Sequence, residues 1–227
     1  MSFALPMIAS GSPPVSGMGS FKVPDVAQRL AEQSLYSTYR FPAGTGIQGS
    51  SDFRFFQTPR SQPGQGFTSA LSFSETNTTT TGMLSGSETF EASAIACEVL
   101  GAVSSGVVQG VLPADLRLFQ RIGVFQWDFT AGSATQVMIA PLSFVGAGGG
   151  IFGATADTGT PVTFVNNGNG QIWTYQRLVV GVSATQPFSI VLYTGNAGQT
   201  ASSLAPTAET HVRLTLFNLN RSLLPTG

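Results

Sequence analysis

From residue 52 onward, apolar and polar residues alternate with a period of two, and the alternation is broken at intervals by stretches rich in Gly, Asn, Ser and Thr. In HVRLTLFNL (211–219), Val212, Leu214 and Leu216 share one face with Asn218, while Arg213, Thr215 and Phe217 share the other. Side chains alternate across a pleated strand, so such a segment rests one face on a core and turns the other outward. Eight segments carry this signal: DFRFFQT (52–58), GFTSALSFSET (66–76), ETFEASAIACEVLGAV (88–103), GVFQWDFT (123–130), TQVMIAPLSFV (135–145), QIWTYQRLVVGV (171–182), PFSIVLYTG (187–195) and HVRLTLFNL. The separators, among them NTTTTGMLSGS, TAGSA, NNGNG and NAGQTASS, are turn-forming. LPADLRLFQRI (112–122) breaks the pattern with Pro113 near the start of a short helix.

Upstream the pattern differs. PDVAQRLAEQSLYSTY (24–39) has Pro24 at a helix start, Asp25 in the first turn, and Val26, Leu30 and Leu35 at near-helical spacing, which predicts a short amphipathic helix. Residues 1–23 are rich in Pro, Gly, Ser and Met and have no sustained periodicity. The chain therefore divides into an N-terminal arm, residues 1–51, with a helix near 24–39, and a β domain over 52–227. Strand number, even spacing and scarce helix predict an all-β fold, an eight-stranded antiparallel jelly-roll sandwich with one or two short helices. A lipocalin-type barrel is the nearest competitor, but it joins its strands by short hairpins, and the long gap between LSFV and QIWTY argues against it.

Composition sharpens the picture. Charged residues are 9% of the chain, against roughly 25% in an ordinary soluble domain. Spread over about 9,800 Å² of folded surface, the charges number only about one per 470 Å². A surface this sparse is either kept wet by Ser, Thr, Asn, Gln and Gly or covered by neighbouring subunits. Lys22 is the single lysine, and the other nine basic residues are arginines. Interfaces enrich arginine and deplete lysine, because the planar guanidinium stacks and gives up water more readily. A net charge of −1 argues against strong direct nucleic-acid binding, which draws on an excess of basic side chains.

Cys97 stands alone, which rules out a disulfide within the chain and points to a small core residue. MSFALPMIASGSPPVSGMG has no basic stretch before its apolar run, and Pro6 interrupts that run, so a secretory signal is not expected. No stretch approaches the 18 or so apolar residues of a membrane-spanning helix.

Candidate chemistry is thin. GAGGGIFG (146–153) matches G-x-G-x-x-G at Gly148, Gly150 and Gly153, but a dinucleotide site needs a helix next, and the turn-like and then strand-like ATADTGTPVTF follows. His211 is the single histidine and opens a strand; without a G-x-S-x-G serine it reads as a solvent-facing strand end. One His and one Cys cannot make the usual zinc set, and the scattered acids lack a calcium-loop pattern. Glu91 and Asp128 are strand-borne candidates for a glycosidase pair, and Asn77 and Asn220 head glycosylation sequons that matter only in a secreted chain. No catalytic, cofactor or metal residue is assigned.

The stretch SDFRFFQTPRSQPGQGF (51–67) sets Arg54 and Arg60 among phenylalanines. Arginine between aromatics suits a single-stranded nucleic-acid groove or an assembly interface. The next basic residue after Arg60 is Arg117, so there is no continuous basic track and the interface reading is preferred. Strand alternation then expects Phe53 and Phe55 on the core, with Arg54, Phe56 and Arg60 facing a neighbouring subunit.

DFRFFQTPRSQPGQGF, FVGAGGGIFG, NNGNGQIWTYQRLVV and RLTLFNLNRSLLPTG are similar to phage structural proteins, and the arm, low charge and eight strands resemble the single jelly-roll capsid protein of a non-tailed icosahedral virus. The resemblance implies a virion protein of a bacteriophage, made in the host cytoplasm, that self-assembles into a shell without a cofactor. Its implied partners are copies of itself, other virion proteins, and an internal membrane touched by the arm. A virion spike, fibre or glycan-binding module is the alternative, and a glycan-active enzyme the third class. The absence of a strongly basic arm departs from small RNA-virus capsid proteins.

Overall fold

The computed structural model describes residues 29–32, 34–47, 49–84, 88–104, 107–129, 135–145, 152–155, 163–166, 173–174, 180–183, 186–195, 204–217 and 219–222. In chain order the elements are β1 (Arg29–Glu32), β2 (Leu35–Phe41), β3 (Gly49–Phe55), β4 (Glu88–Ala92), β5 (Ala94–Gly101), β6 (Val103–Ser104), β7 (Val107–Val108), α1 (Pro113–Ile122), β8 (Gly123–Phe129), β9 (Thr135–Pro141), a 3-10 turn at Leu142–Phe144, β10 (Phe152–Thr155), β11 (Thr163–Asn166), β12 (Trp173–Thr174), β13 (Val180–Val182), β14 (Phe188–Thr194), β15 (Thr210–Phe217) and β16 (Leu219–Ser222). The fold is mostly β, its strand pairings are antiparallel, and α1 is the α-helix among the described residues.

Three four-stranded sheets carry the architecture, in the orders β2-β15-β5-β12, β1-β16-β4-β13 and β3-β14-β8-β9. The first two draw on neighbouring stretches of the chain, β2 and β1, β15 and β16, β5 and β4, and β12 and β13. β4 and β5 are separated by Ser93 alone, whose N–H donates to Phe217 O at 2.9 Å, and β15 and β16 are separated by one residue. The sheets do not close into a barrel among the described residues.

The alternation read from sequence decides what each sheet buries. Val212, Leu214 and Leu216 of β15 lie in register with Tyr39, Ser37 and Leu35 of β2 on one side and with Val99, Cys97 and Ile95 of β5 on the other. This stripe meets Phe53 and Phe55 of β3, Phe125 and Trp127 of β8, and Ile190 and Leu192 of β14 in one apolar cluster. Aromatic rings join the two layers: Tyr39 lies 5.2 Å from Phe53, and Phe41 4.8 Å from Phe53, edge-on or tilted as aromatic quadrupoles prefer. Helix α1, opened by Pro113, buries Leu116, Phe119 and Ile122 at a spacing of three, and Phe119 packs 4.8 Å from Phe41. Its buried Asp115 accepts the N–H groups of Thr207 at 2.7 Å and Ala208 at 2.9 Å, which pins the turn leading into β15.

Three expectations are corrected. The helix expected near 24–39 is absent over its described part, where β1 and β2 occur; the alternation of Leu35, Ser37, Tyr39 and Phe41 outweighs the helix-start signal once β15 offers a partner. The domain therefore takes in residues assigned to a 1–51 arm, since 29–32, 35–41 and Gly49 all pair in sheets, while residues 1–28 lie outside the described residues. Residues 66–76 form no strand but a run of turns held locally, with Glu75 and Thr76 N–H groups both donating to Ser72 O. Other backbone groups of the segment are met from outside it: Leu71 N–H donates to Gln62 O, and Phe73 O and Ser74 O accept the Tyr36 hydroxyl and Arg213 Nη2.

The segment 88–103 becomes β4, β5 and the start of β6, and 171–182 contributes β12 and β13. Gly153 lies in β10, which pairs with β11, so no helix opens after the glycine run; residues 146–151 lie outside the described residues.

Candidate functional site

The first candidates were Arg54, Phe56 and Arg60, and the structure separates them. Arg54 is exposed on the outer face of the β3-β14-β8-β9 sheet, in register with Val191. Phe53 is partly buried against the core and Phe55 fully buried, as alternation requires. Phe56 is corrected: it is fully buried, not outward, and its ring packs 5.4 Å from Phe188. The strand ends at Phe55, and Phe56 has φ of 63°, so the backbone turns and places two successive rings in the core. A bulky residue adopts this left-handed conformation only where its surroundings hold it. Here the Phe56 N–H donates to buried Ser37 Oγ at 2.9 Å and its carbonyl accepts Gly82 N–H at 2.9 Å. Arg60 is half-buried, with its guanidinium carbon 3.9 Å from the Phe73 ring centroid, so its aromatic partner lies within the chain.

The Gln-Pro-Gly loop after Arg60 covers the free edge of β2. Buried Gln65 is its hub: Nε2 donates to Ser37 Oγ at 2.6 Å and Thr38 O at 3.2 Å, while Oε1 accepts Thr58 N–H at 3.2 Å. Arg40 N–H donates to Gln65 O at 2.9 Å. Gly66, at φ of 80°, brings its Cα so close to β2 that a Cβ would stand 2.0 Å from Arg40 O.

The residues that follow this loop form one wall of an open cleft of about 630 Å³. Its floor is the outer face of β2 and β15, with Thr38 and Arg40 beside His211 and Arg213; residues 67–75 supply one wall, and 99–103 with 109–111 the other. Arg40 Nη2 bonds Glu209 Oε2 at 2.5 Å and Nη1 donates to Gly66 O at 3.1 Å, while the other Glu209 oxygen meets His211 Nε2 at 3.1 Å. Arg213 donates through Nε to Thr38 Oγ1 at 3.2 Å and through Nη2 to Ser74 O at 2.5 Å, with Glu98 Oε2 3.9 Å from its Nη1. The Phe67 ring stands edge-on to His211 at 5.1 Å. Glu75 is held by the hydroxyls of Ser72 and Ser74.

Protonation follows these contacts. The hydrogen bond to Arg40 holds the Glu209 carboxyl below the usual carboxylate range, and the Glu209 bond raises Arg40. Burial lowers the His211 imidazole from 6.5 against the opposing pull of Glu209, so it is neutral near pH 7. Burial raises Glu75, but bonds from Ser72 and Ser74 outweigh it and leave the carboxyl lowered. Burial raises Glu98, with Arg213 opposing.

His211 is thus half-buried in a charged cluster, and the expectation of a solvent-facing strand end is corrected. Cys97 is buried in the core, where burial raises its thiol. The side chains of Glu91 and Asp128 lie outside what is described. Asn77 is a structural link, donating to Ser34 O at 2.6 Å and accepting Tyr36 N–H at 2.9 Å. Sequence reading passed over Arg40, Glu209 and Arg213. The signal was there in part, since HVRLTLF puts His211 and Arg213 on one polar face, but Arg40 joins them only once 35–41 is a strand paired to β15. The chain matches no protein-family model, no curated protein and no solved structure.

Proposed function

We propose that this chain is a jelly-roll subunit that self-assembles into the shell of a non-tailed icosahedral virion, in line with the resemblance of its sequence. The observation that carries the reading is the pairing order. With the two-stranded pairs β6-β7 and β10-β11 set aside and neighbouring strands taken together, eight segments remain in chain order: β1 with β2, β3, β4 with β5, β8, β9, β12 with β13, β14 and β15 with β16. The first pairs with the eighth, the second with the seventh, the third with the sixth and the fourth with the fifth. That is the pairing of one long eight-stranded hairpin. Further pairing of the eighth with the third and of the seventh with the fourth rolls the hairpin into sheets of order 1-8-3-6 and 2-7-4-5, which is how a jelly roll of two Greek keys is built.

A fold does not fix a function, and support for assembly comes from the surface. Large apolar side chains stand exposed at Ile139, Phe144, Leu112 and Phe73, on a chain with 9% charged residues and nine arginines to one lysine. Apolar anchors with arginine at the rim and few lysines are the composition of subunit contacts. Arg54, exposed beside Val191, belongs to such a contact; Phe56 does not.

Sedimentation velocity at micromolar concentration tests this. Species far larger than 23.6 kDa are expected, and Arg54→Ala should weaken assembly. A stable monomer at every salt concentration would remove the proposal.

A further inference from the structure

We propose that the cleft over β2 and β15 is a binding site for a neutral saccharide. Its size, about 630 Å³, lies within the range of small-molecule sites. The charges in its lining cancel: Arg40 and Arg213 stand against Glu75 and Glu209, beside an imidazole that is neutral near pH 7. The cations are already engaged, Arg40 by Glu209 and Gly66, and Arg213 by Ser74, Thr38 and Glu98. Neither an anion nor a cation finds an unmatched counter-charge, so a charged ligand would give up its hydration without return.

What the cleft offers is hydrogen bonding from fixed groups. The Glu209 carboxylate is held through one oxygen by Arg40 and through the other by His211, which sets its plane, and its side chain remains 31% exposed. Each carboxylate oxygen accepts more than one hydrogen bond, so the outward lone pairs are available to a ligand hydroxyl. Thr68, Ser69 and Gln109 add exposed hydroxyl and amide groups on the two walls. Apolar surface lies beside them at Phe67 and Val103. A sugar ring has the matching two-sided character, hydroxyls around its edge and C–H groups on its faces. The scaffold is preorganised, since Gln65, Arg40 and Arg213 tie the covering loop to β2 and β15, which lowers the ordering cost of binding.

This site is independent of shell assembly, because its floor and walls all come from one chain. The test is saturation-transfer difference NMR on the full-length protein, with methyl glycosides of glucose, galactose, mannose and N-acetylglucosamine and their common disaccharides as probes. Sialyllactose and citrate serve as anionic comparators. At least one neutral sugar should bind, with both anions weaker. Thr68→Trp, which fills the cleft from an exposed position, and Glu209→Gln should each weaken it tenfold or more, while Arg54→Ala on the opposite sheet leaves it unchanged. Near-ultraviolet circular dichroism identifies any variant that fails to fold, and Thr68→Trp then decides alone. Failure of every neutral sugar to bind, tighter binding of an anion, or full binding by folded Thr68→Trp would each overturn the proposal.

Discussion

Replacing Phe56 by alanine separates the observed burial from an outward ring. Phe56 is fully buried, packs on Phe188 and sits at φ of 63°. Removing a buried phenyl ring from a close-packed core costs about 3–5 kcal/mol, a large part of the roughly 5–15 kcal/mol by which a domain is stable. Alanine leaves the left-handed backbone in place, which costs a residue with a Cβ about 1–2 kcal/mol. Glycine loses the same ring but removes that strain, against about 0.4–1 kcal/mol of extra freedom in the unfolded chain. Phe56→Gly should therefore be as stable as Phe56→Ala or more so by about 1 kcal/mol, the reverse of the usual order. Urea unfolding followed by tryptophan fluorescence, to which the buried Trp127 contributes, measures both, at a concentration where wild type and variants sediment alike. A loss below about 1 kcal/mol for Phe56→Ala, as for an exposed ring, or a Phe56→Gly variant clearly weaker than Phe56→Ala, would refute the reasoning.

Other consequences follow from the same contacts. Gln65→Ala should cost about 2–4 kcal/mol by urea unfolding, because it removes the bonds to Thr38 O and Thr58 N–H and one of those at buried Ser37 Oγ. Gly66→Ala should open the covering loop, seen as faster proteolysis within residues 56–83, since its Cβ would collide with Arg40 O. The folded state holds His211 below its ordinary 6.5, so the stability tied to its neutral form is complete above that value and is lost as pH falls through the folded pKa; His211→Gln should flatten stability against pH from 7 downward. The lowered Glu209 carboxyl contributes stability that is present above its ordinary value and lost only at lower pH, leaving a second, more acidic fall in the His211→Gln variant. The buried Cys97 thiol should resist a thiol reagent in the native protein and react fully in denaturant, and rapid native labelling would contradict its placement.

Much of the β framework was legible because local pattern and tertiary role agree. HVRLTLF alternates so regularly that its buried stripe could be named residue by residue, and FSIVLYT and GVFQWDF read as strands because β-branched and aromatic residues fill them. LPADLRLFQRI was readable as a helix from Pro113 and the spacing of Leu116, Phe119 and Ile122. Where the reading failed, two periods competed. Leu30 and Leu35 fit a helix, while Leu35, Tyr39 and Phe41 fit a strand, and only the partner β15 decides between them. GFTSALSFSET was expected as a strand, yet it turns on itself, with Leu71 buried and Phe73 exposed. Phe56 escaped because a positive φ at a bulky residue leaves no mark in sequence. The cleft was invisible for a different reason: Arg40, Glu75, Glu209 and Arg213 come from three distant segments, brought together by the antiparallel register of β2 with β15 and by the turns over them.

Electron microscopy of the purified full-length protein under assembly conditions, with image reconstruction of any particles formed, tests the central claim most directly. The account predicts closed shells of icosahedral symmetry in which this chain repeats, each copy a two-layered β sandwich with exposed apolar residues such as Ile139 and Phe144 covered by neighbours. A uniform population of 23.6 kDa monomers across salt and concentration, or an open fibre with no closed shell, would contradict it.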